Sequence, residues 1–225
     1  MRKIEKSAHI PDTLQNAPIP TCADEVKSTY YRADDVRNQL LEDQHDKCAY
    51  CECRIPKDYN DVEHYRPKSI YYWLGHDWNN LLYACPVCNR TYKKTKFPLK
   101  NEASRVTTPG SLDGEEPLII NPAFEEPANH IRFNRHIMVG ITDEGRETIN
   151  TFHLNDRRVL VNDREQRFDL YKKEKDKLKI AEKMKSLTDS KELIQEINKA
   201  IQLCLQSIQQ YQSLDTPYSG MLVNQ

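Results

Sequence analysis

The chain has 225 residues, 38% of them hydrophobic and 30% charged, with a formal net charge of −1. This balance describes one large globular domain or two small ones with a polar, helix-rich surface, and no apolar run reaches the length that crosses a bilayer. Six glycines weigh against collagen-like, glycine-linker and dinucleotide-loop architectures, and Met1 to Pro11 holds charges but no apolar stretch of signal-peptide length, so a cytoplasmic protein is expected.

Taken in chain order, residues 24–45 read as a helix, with Val26, Tyr30, Ala33, Leu40 and Leu41 near helical spacing. Residues 48–66 read as a cysteine turn followed by a short hairpin that carries Glu63 and His64 near the end of its second strand. Residues 69–84 read as a loop. A short helix is expected from Cys88 to Lys94, with Pro98 ending or following it. Residues 101–117 look irregular, with turn signals at Pro109-Gly110 and Asp113-Gly114. Strands are expected at Leu118–Pro122, Ile131–Thr142 and Glu147–Leu154, with the turn at Asp143-Glu144-Gly145. A long helix should start near Asn155, acting as its N-cap, and reach about Leu187. A second should start near Asp189 or Ser190 and reach about Leu214. Its apolar positions Ile194, Ile197, Ile201, Cys204, Ile208 and Tyr211 form a heptad-like seam, which an antiparallel intrachain hairpin explains better than the alternative, a partner-binding coiled coil. The tail from Pro217 to Val223 is apolar enough to dock on the body. Three regions result: an N-terminal helical segment (1–46), a compact core (47–100), and a mainly helical α+β region (101–225) suited to docking a partner.

Seven cysteines decide the chemistry. Four form two C-x-x-C pairs, Cys48/Cys51 and Cys85/Cys88. Each pair can place two thiolates on one edge of a tetrahedral metal, so the two complete a structural zinc site. Cys53 stands close enough to Cys51 to compete as a ligand. Cys22 and Cys204 read as buried thiols. An odd count and no secretion signal argue against a disulfide framework.

The net charge hides a segregation. Residues 47–100 carry ten Lys/Arg against five Asp/Glu, while each flank is net −3. The stretch Arg90 to Lys100 has five basic residues and no acid; it could be a solvated helix end, but beside a metal site it reads better as a phosphate-contacting surface. Arg66, Lys68, Arg90, Lys93 and Lys94 are the nucleic-acid-binding candidates.

Between the cysteine pairs lie the groups that phosphodiester hydrolysis needs. His64 can take a proton from water near neutral pH. Glu63, Asn80 and Asn89 are oxygen donors of the kind a hard divalent ion prefers. Adjacent strand residues face opposite ways, so Glu63 and His64 share a pocket only at a twisted strand end. Singly, His64 could equally be an ordinary interior histidine, Asn80 a turn residue and Asn89 a helix cap.

The segments C-A-Y-C, V-E-H-Y-R-P-K, W-N-N-L-L and C-P-V-C-N within Cys48–Lys96 resemble an HNH endonuclease of the ββα-metal fold. With K-F-P-L (96–99), L-I-I-N-P (118–122), T-I-N-T-F-H-L-N (148–155) and P-Y-S-G-M in the tail, the chain resembles the PtuB-like HNH proteins of Septu and some retron anti-phage systems. The resemblance implies an α+β protein with a zinc-stapled ββα-metal core, a helical lead-in, and a C-terminal hairpin plus long helical hairpin. It implies catalytic roles for His64 (general base), Glu63 and Asn89 (ligands of a catalytic Mg²⁺ or Mn²⁺) and Asn80 (loop and histidine orientation), with Cys48, Cys51, Cys85 and Cys88 holding structural Zn²⁺. It further implies a nucleic-acid substrate, DNA ahead of RNA such as tRNA, and a PtuA-like ATPase partner, since the chain itself has no G-x-x-x-x-G-K-[ST] loop. The competing reading is a zinc-stapled adapter that binds nucleic acid or protein without cutting.

Overall fold

The computed structural model describes residues 1–56 and 59–223. The lead-in is helical but broken. It comprises α1 (Asp12–Gln15), α2 (Ser28–Tyr31) and α3 (Asp34–Asp43) rather than one helix over 24–45. Ala33 is extended between α2 and α3, and Asp34 and Asp35 start a fresh first turn, where acidic side chains meet the helix dipole favourably. The apolar residues still turn inward. Val26, Tyr31, Val36 and Leu40 are buried, the last two four apart on one face of α3. Gln44, just past α3, donates its amide to the carbonyls of Lys47 and Tyr83 and accepts from the Tyr83 amide. This buried side chain, together with the Ala49 amide that donates to the Tyr83 carbonyl at 3.0 Å, satisfies the outer edge of a strand.

That strand belongs to the central hairpin. β1 (Asp61–His64) pairs antiparallel with β2 (Leu81–Ala84), in the register Asp61 to Ala84, Val62 to Tyr83, Glu63 to Leu82 and His64 to Leu81. This corrects the expected hairpin inside 48–66: Lys47 and Arg54 form only an isolated bridge. Residues 57 and 58, within that expected hairpin, lie outside the described residues. The strand partner comes instead from the far end of the 69–84 segment, whose Leu81, Leu82, Tyr83 and Ala84 are fully buried. A continuous apolar run suits a strand covered on both faces, and it is short enough to be missed by periodicity. After β2 a π-helical segment, Val87–Lys93, packs on the hairpin and ends at Lys94, whose φ is +53°. The expected helix is therefore present, wound more loosely.

The C-terminal region differs most from expectation. Leu118–Pro122 makes no strand, though Ile119 to Pro122 are buried. Leu99 bridges to Pro117, Ile119 and Ile120 are fully enclosed, and the Ile120 amide is satisfied by Thr148 Oγ1 at 2.9 Å. The hairpin of β3 (Ile131–Asn134) and β4 (Ile137–Gly140) lies entirely within the segment expected to be one strand. Asp143-Glu144-Gly145 does not turn between strands but opens α4 (Asp143–Thr151), with Thr142 Oγ1 capping the Gly145 amide. Thr148, Ile149 and Thr151 favour strands intrinsically, and the cap and packing override that preference. Gly145 is required by close approach, as a Cβ there would fall 2.0 Å from the His130 carbonyl oxygen. α5 (Arg158–Lys185) and α6 (Lys191–Gln212) form the expected hairpin, α6 capped by Ser190 and bringing Tyr211 against Tyr171. Asn155 is not the α5 cap. Its amide accepts from Met138 N at 3.0 Å and donates to Met138 O at 2.8 Å. The tail docks as α7 (Ser219–Leu222), with Met221 and Leu222 fully buried. Cys204 is buried as expected, but Cys22 is exposed.

Candidate metal centre and active site

The four cysteines of the two C-x-x-C pairs converge. Their sulfurs lie within 4.8 Å of one another and all four are buried. Cys51 Sγ and Cys85 Sγ are 3.8 Å apart, which matches the edge of about 3.8 Å of a tetrahedron with zinc–sulfur bonds of about 2.3 Å. The turn is built by backbone hydrogen bonds from Cys48 N to Cys53 O and from Glu52 N to Cys48 O, each 3.0 Å, with Glu52 in the left-handed region. So many sulfurs cannot each keep a proton at this spacing. Hydrogen bonds led by Cys48 drive the Cys51 and Cys85 thiols far below the usual range, and burial pushes Cys48 and Cys88 far up. The donor set therefore fits a four-coordinate zinc. Cys53 stands outside this quartet, 3.3 Å from Cys51 Sγ, and the hydrogen bond between the two sulfurs, followed by the one with Cys85, raises its thiol. Arg157 Nη1 donates to Cys88 Sγ at 3.2 Å. Burial lowers the pKa of this guanidinium, but its interactions with Cys88 and Cys51 more than restore it. Arg157 so offsets part of the negative charge of a four-thiolate site. Nothing in the sequence marked it, because it lies 69 residues from Cys88.

The hairpin beside this centre splits its polar residues between two faces. Asp61 and Glu63 point to the π-helical segment. Asp61 is bound by Arg90 at 2.7 and 2.5 Å, with Arg32 at 3.7 Å. Glu63 Oε1 lies 2.5 Å from Lys93 Nζ, both side chains almost wholly buried. Burial raises the Glu63 carboxyl more than the Lys93 ammonium lowers it.

His64 points the other way, towards the Tyr31 ring at 4.7 Å, edge to face. Its Nε2 lies 3.0 Å from the Gly75 carbonyl. A carbonyl only accepts, so Nε2 carries the proton and Nδ1 is left with a lone pair. Burial depresses the imidazole to about 3, partly opposed by Gly75 and reinforced by Lys68, Lys93 and His76, so His64 is neutral at physiological pH. Gly75 is the residue that lets its carbonyl approach, for a Cβ there would sit 2.4 Å from Val26 Cγ1.

Asn80 ties the loop back onto the strand. Its Oδ1 accepts from Arg66 N at 2.7 Å, and its Nδ2 donates to Arg66 O at 3.0 Å and Leu74 O at 3.1 Å, one residue before Gly75. Asn89 is half-buried on the π-helical segment, one residue after Cys88 and four before Lys93.

The basic candidates separate in the structure. Lys94 is exposed. Arg90 is largely exposed while holding Asp61. Lys68 donates to Tyr31 Oη at 3.2 Å. Two do not sit as surface contacts. Arg66 forms a mostly buried ion pair with Glu115, and Lys93 is fully enclosed between Glu63 and the His64 carbonyl at 2.8 Å. Charge counting cannot foresee this, since the burying partners lie elsewhere in the chain.

Residues 48–95, which hold the hairpin, the helical segment and the four-cysteine clamp, match the family model described as HNH endonuclease. Over 60% of its length the chain is 36% identical to a Septu protein PtuB of Bacillus mycoides, covering 51% of that protein, and over 53% it is 35% identical to one of Bacillus thuringiensis, covering 41%. The chain is PtuB-like in this matched part, and it spans about half the length of the curated relatives it matches. It is also 28% identical over 135 residues to a Septu protein PtuA of Bacillus mycoides, 19% of that protein's length. No described helix is long and apolar enough to cross a membrane.

Proposed function

We propose that this chain is a metal-dependent HNH endonuclease that hydrolyses nucleic-acid phosphodiester bonds, DNA ahead of RNA, as the cutting component of an anti-phage system. The observation that carries this reading is the state of His64. It is buried, neutral and held by Gly75 through Nε2, so its Nδ1 lone pair is available to a water nucleophile. Nδ1 would take the proton of the attacking water. A phosphate brought beside it would raise its proton affinity from the depressed value of the free protein. Asn80 fixes both ends of the loop that delivers Gly75, a positioning role.

Glu63 and Asn89 are the residues that would hold a divalent ion; since the His64 ring lies on the other face, ion and base would meet a phosphate only across the end of β1, whose last residue is His64. The fit rests on the cation already buried at Glu63, which marks the carboxylate as a cation site. Mg²⁺ or Mn²⁺ there would supply charge relief at the phosphate and at the leaving oxygen. Arg90 and Lys94, exposed on the same helical segment, would contact the backbone phosphates. An ATPase partner of the PtuA kind would control the activity in trans, and a cytoplasmic location follows from that role.

The test is cleavage of mixed DNA and RNA substrates with and without Mg²⁺ or Mn²⁺, alone and with the products of neighbouring genes. Metal-dependent cutting should fall by about 10²–10⁴ in His64→Ala. Cutting unchanged in that variant would refute the assignment of His64. A folded, zinc-loaded chain that cuts nothing under any of these conditions would favour the adapter reading.

A further inference from the structure

Lys93 is the least expected cation in the molecule. Its side chain is 1% exposed and its ammonium is bounded by two oxygens, Glu63 Oε1 at 2.5 Å and the His64 carbonyl at 2.8 Å. Both oxygens belong to the adjacent pair of residues to which the proposed function assigns the metal and the base. A buried ion pair is seldom needed for stability, because apolar residues of similar volume commonly do as well. Lysine differs from arginine here. It is a compact point charge on a flexible four-carbon stem, able to fill a small cation site and to leave it by rotating. The residues that follow, Lys94, Thr95 and Lys96, are exposed, so the chain reaches the surface directly after Lys93.

We propose that the Lys93 ammonium is a built-in competitor for the divalent ion at Glu63, and that metal binds there only when the ammonium leaves. The inference rests on the reading of Glu63 as a metal ligand. Two cations cannot share one buried carboxylate oxygen at contact distance, since like charges repel strongly where water is excluded. Loading is therefore taxed by the fraction of molecules in which Lys93 occupies the site. A free chain would hold metal weakly, and anything that draws the ammonium outward, such as the phosphate of a bound nucleic acid, would favour loading.

The test uses the full zinc-loaded chain and Mn²⁺, with free Mn²⁺ read by electron paramagnetic resonance. Zinc content and circular dichroism establish folding. Wild type should bind Mn²⁺ weakly, Lys93→Met should bind it about tenfold or more tightly, and Glu63→Gln should abolish binding in both backgrounds. Glu63-dependent binding that is no tighter in Lys93→Met overturns the competitor and leaves the metal site standing. No Glu63-dependent binding in any variant overturns both. Should Lys93→Met fail to fold, Lys93→Gln replaces it, and wild type gives an independent reading through amine labelling followed by mass spectrometry. Lys93 should be protected in the metal-free chain and become labelled at saturating Mn²⁺, and protection that persists there overturns the proposal.

Discussion

Glu115 offers the sharpest test of how the candidate site is supported. Its side chain is fully enclosed and takes three donors: Arg66 Nη1, Tyr71 Oη at 2.8 Å and the Val106 amide at 2.7 Å. Arg66 immediately follows His64-Tyr65, and its guanidinium also lies over the rings of Tyr71 and Phe97 at 5.2 and 4.9 Å. In Glu115→Ala a mostly buried guanidinium loses its counter-charge and two further donors lose their acceptor. Breaking one side of such a pair costs about 3–5 kcal/mol. The lost neutral hydrogen bonds are part of that figure, since groups sharing one carboxylate are not additive. For a chain of this size about 1 kcal/mol moves Tm by about 2–4 °C, so the midpoint should fall by about 6–20 °C. Urea unfolding of the zinc-saturated protein measures it. The double variant Glu115→Leu with Arg66→Met should lose much less, because no charge is then stranded. A loss below about 1 kcal/mol in Glu115→Ala is the value of an exposed pair and would refute the buried-pair reasoning. The same geometry bears on binding. An arginine already neutralised inside should leave the salt dependence of nucleic-acid affinity unchanged in Arg66→Gln, whereas a phosphate contact would lower that slope by about one.

Three further outcomes are expected. Gly75→Ala should keep the zinc yet lose most cutting, because the new Cβ pushes against buried Val26 and shifts the carbonyl that fixes His64; undiminished cleavage would detach Gly75 from the site. Lys6 is lowered to about 7 by burial, against the pull of Asp43 and Asp77. Between pH 7 and 10.5 the unfolded chain therefore binds the extra proton, and stability should rise with pH by at most about 1.4 kcal/mol per unit. Below pH 7 the lysine is charged in both states and this slope vanishes. Lys6→Met should remove the rise, as urea midpoints across pH would show. Chelating zinc should collapse the far-ultraviolet circular dichroism of the core, while withdrawing Mg²⁺ should stop cutting and leave the spectrum intact; a spectrum unchanged without zinc would overturn the structural role of the four cysteines.

What the sequence made legible follows from the range of each signal. The C-x-x-C pairs could be read because spacing alone limits what two nearby thiolates can do, and Ile197 and Cys204 fall inward in α6 because a long helix repeats its period many times. The central hairpin was not legible. β1 and β2 have four residues each and are buried on both faces, so neither shows alternation, and their pairing is decided by Gln44 and the cysteine clamp from outside. α4 was misread for a related reason: Thr148-Ile149-Asn150-Thr151 carries strand-forming residues, and only the Thr142 cap and the packing of Gly145 on His130 select the helix. Among the site residues, the types at positions 63, 64, 80 and 89 were visible. Their partners were not. Gly75, Tyr31, Glu115 and Arg157 meet the site through long-range contacts that no local pattern encodes, and the same blindness made Arg66 and Lys93 look like surface charges.

The convergence on the cysteine turn explains why such short strands suffice. A two-stranded hairpin is marginal by itself in water, so residues 61–64 and 81–84 need outside constraint. Cys51 and Cys85 close one end of the hairpin. Glu52, in the middle of the turn, accepts from the Met1 amino group at 3.1 Å, faces Lys47 at 3.6 Å and receives the Gly220 amide at 3.4 Å. Gly220 is a glycine because a Cβ would fall 2.7 Å from Glu52 Oε2 and 2.8 Å from the Met1 carbonyl. Arg157 brings the start of α5 to the Cys88 sulfur. Lead-in, tail and helical hairpin therefore all close on one metal-dependent turn. Loss of zinc would leave buried charges on Glu52 and Arg157 without their arrangement, and the disturbance would spread beyond the core.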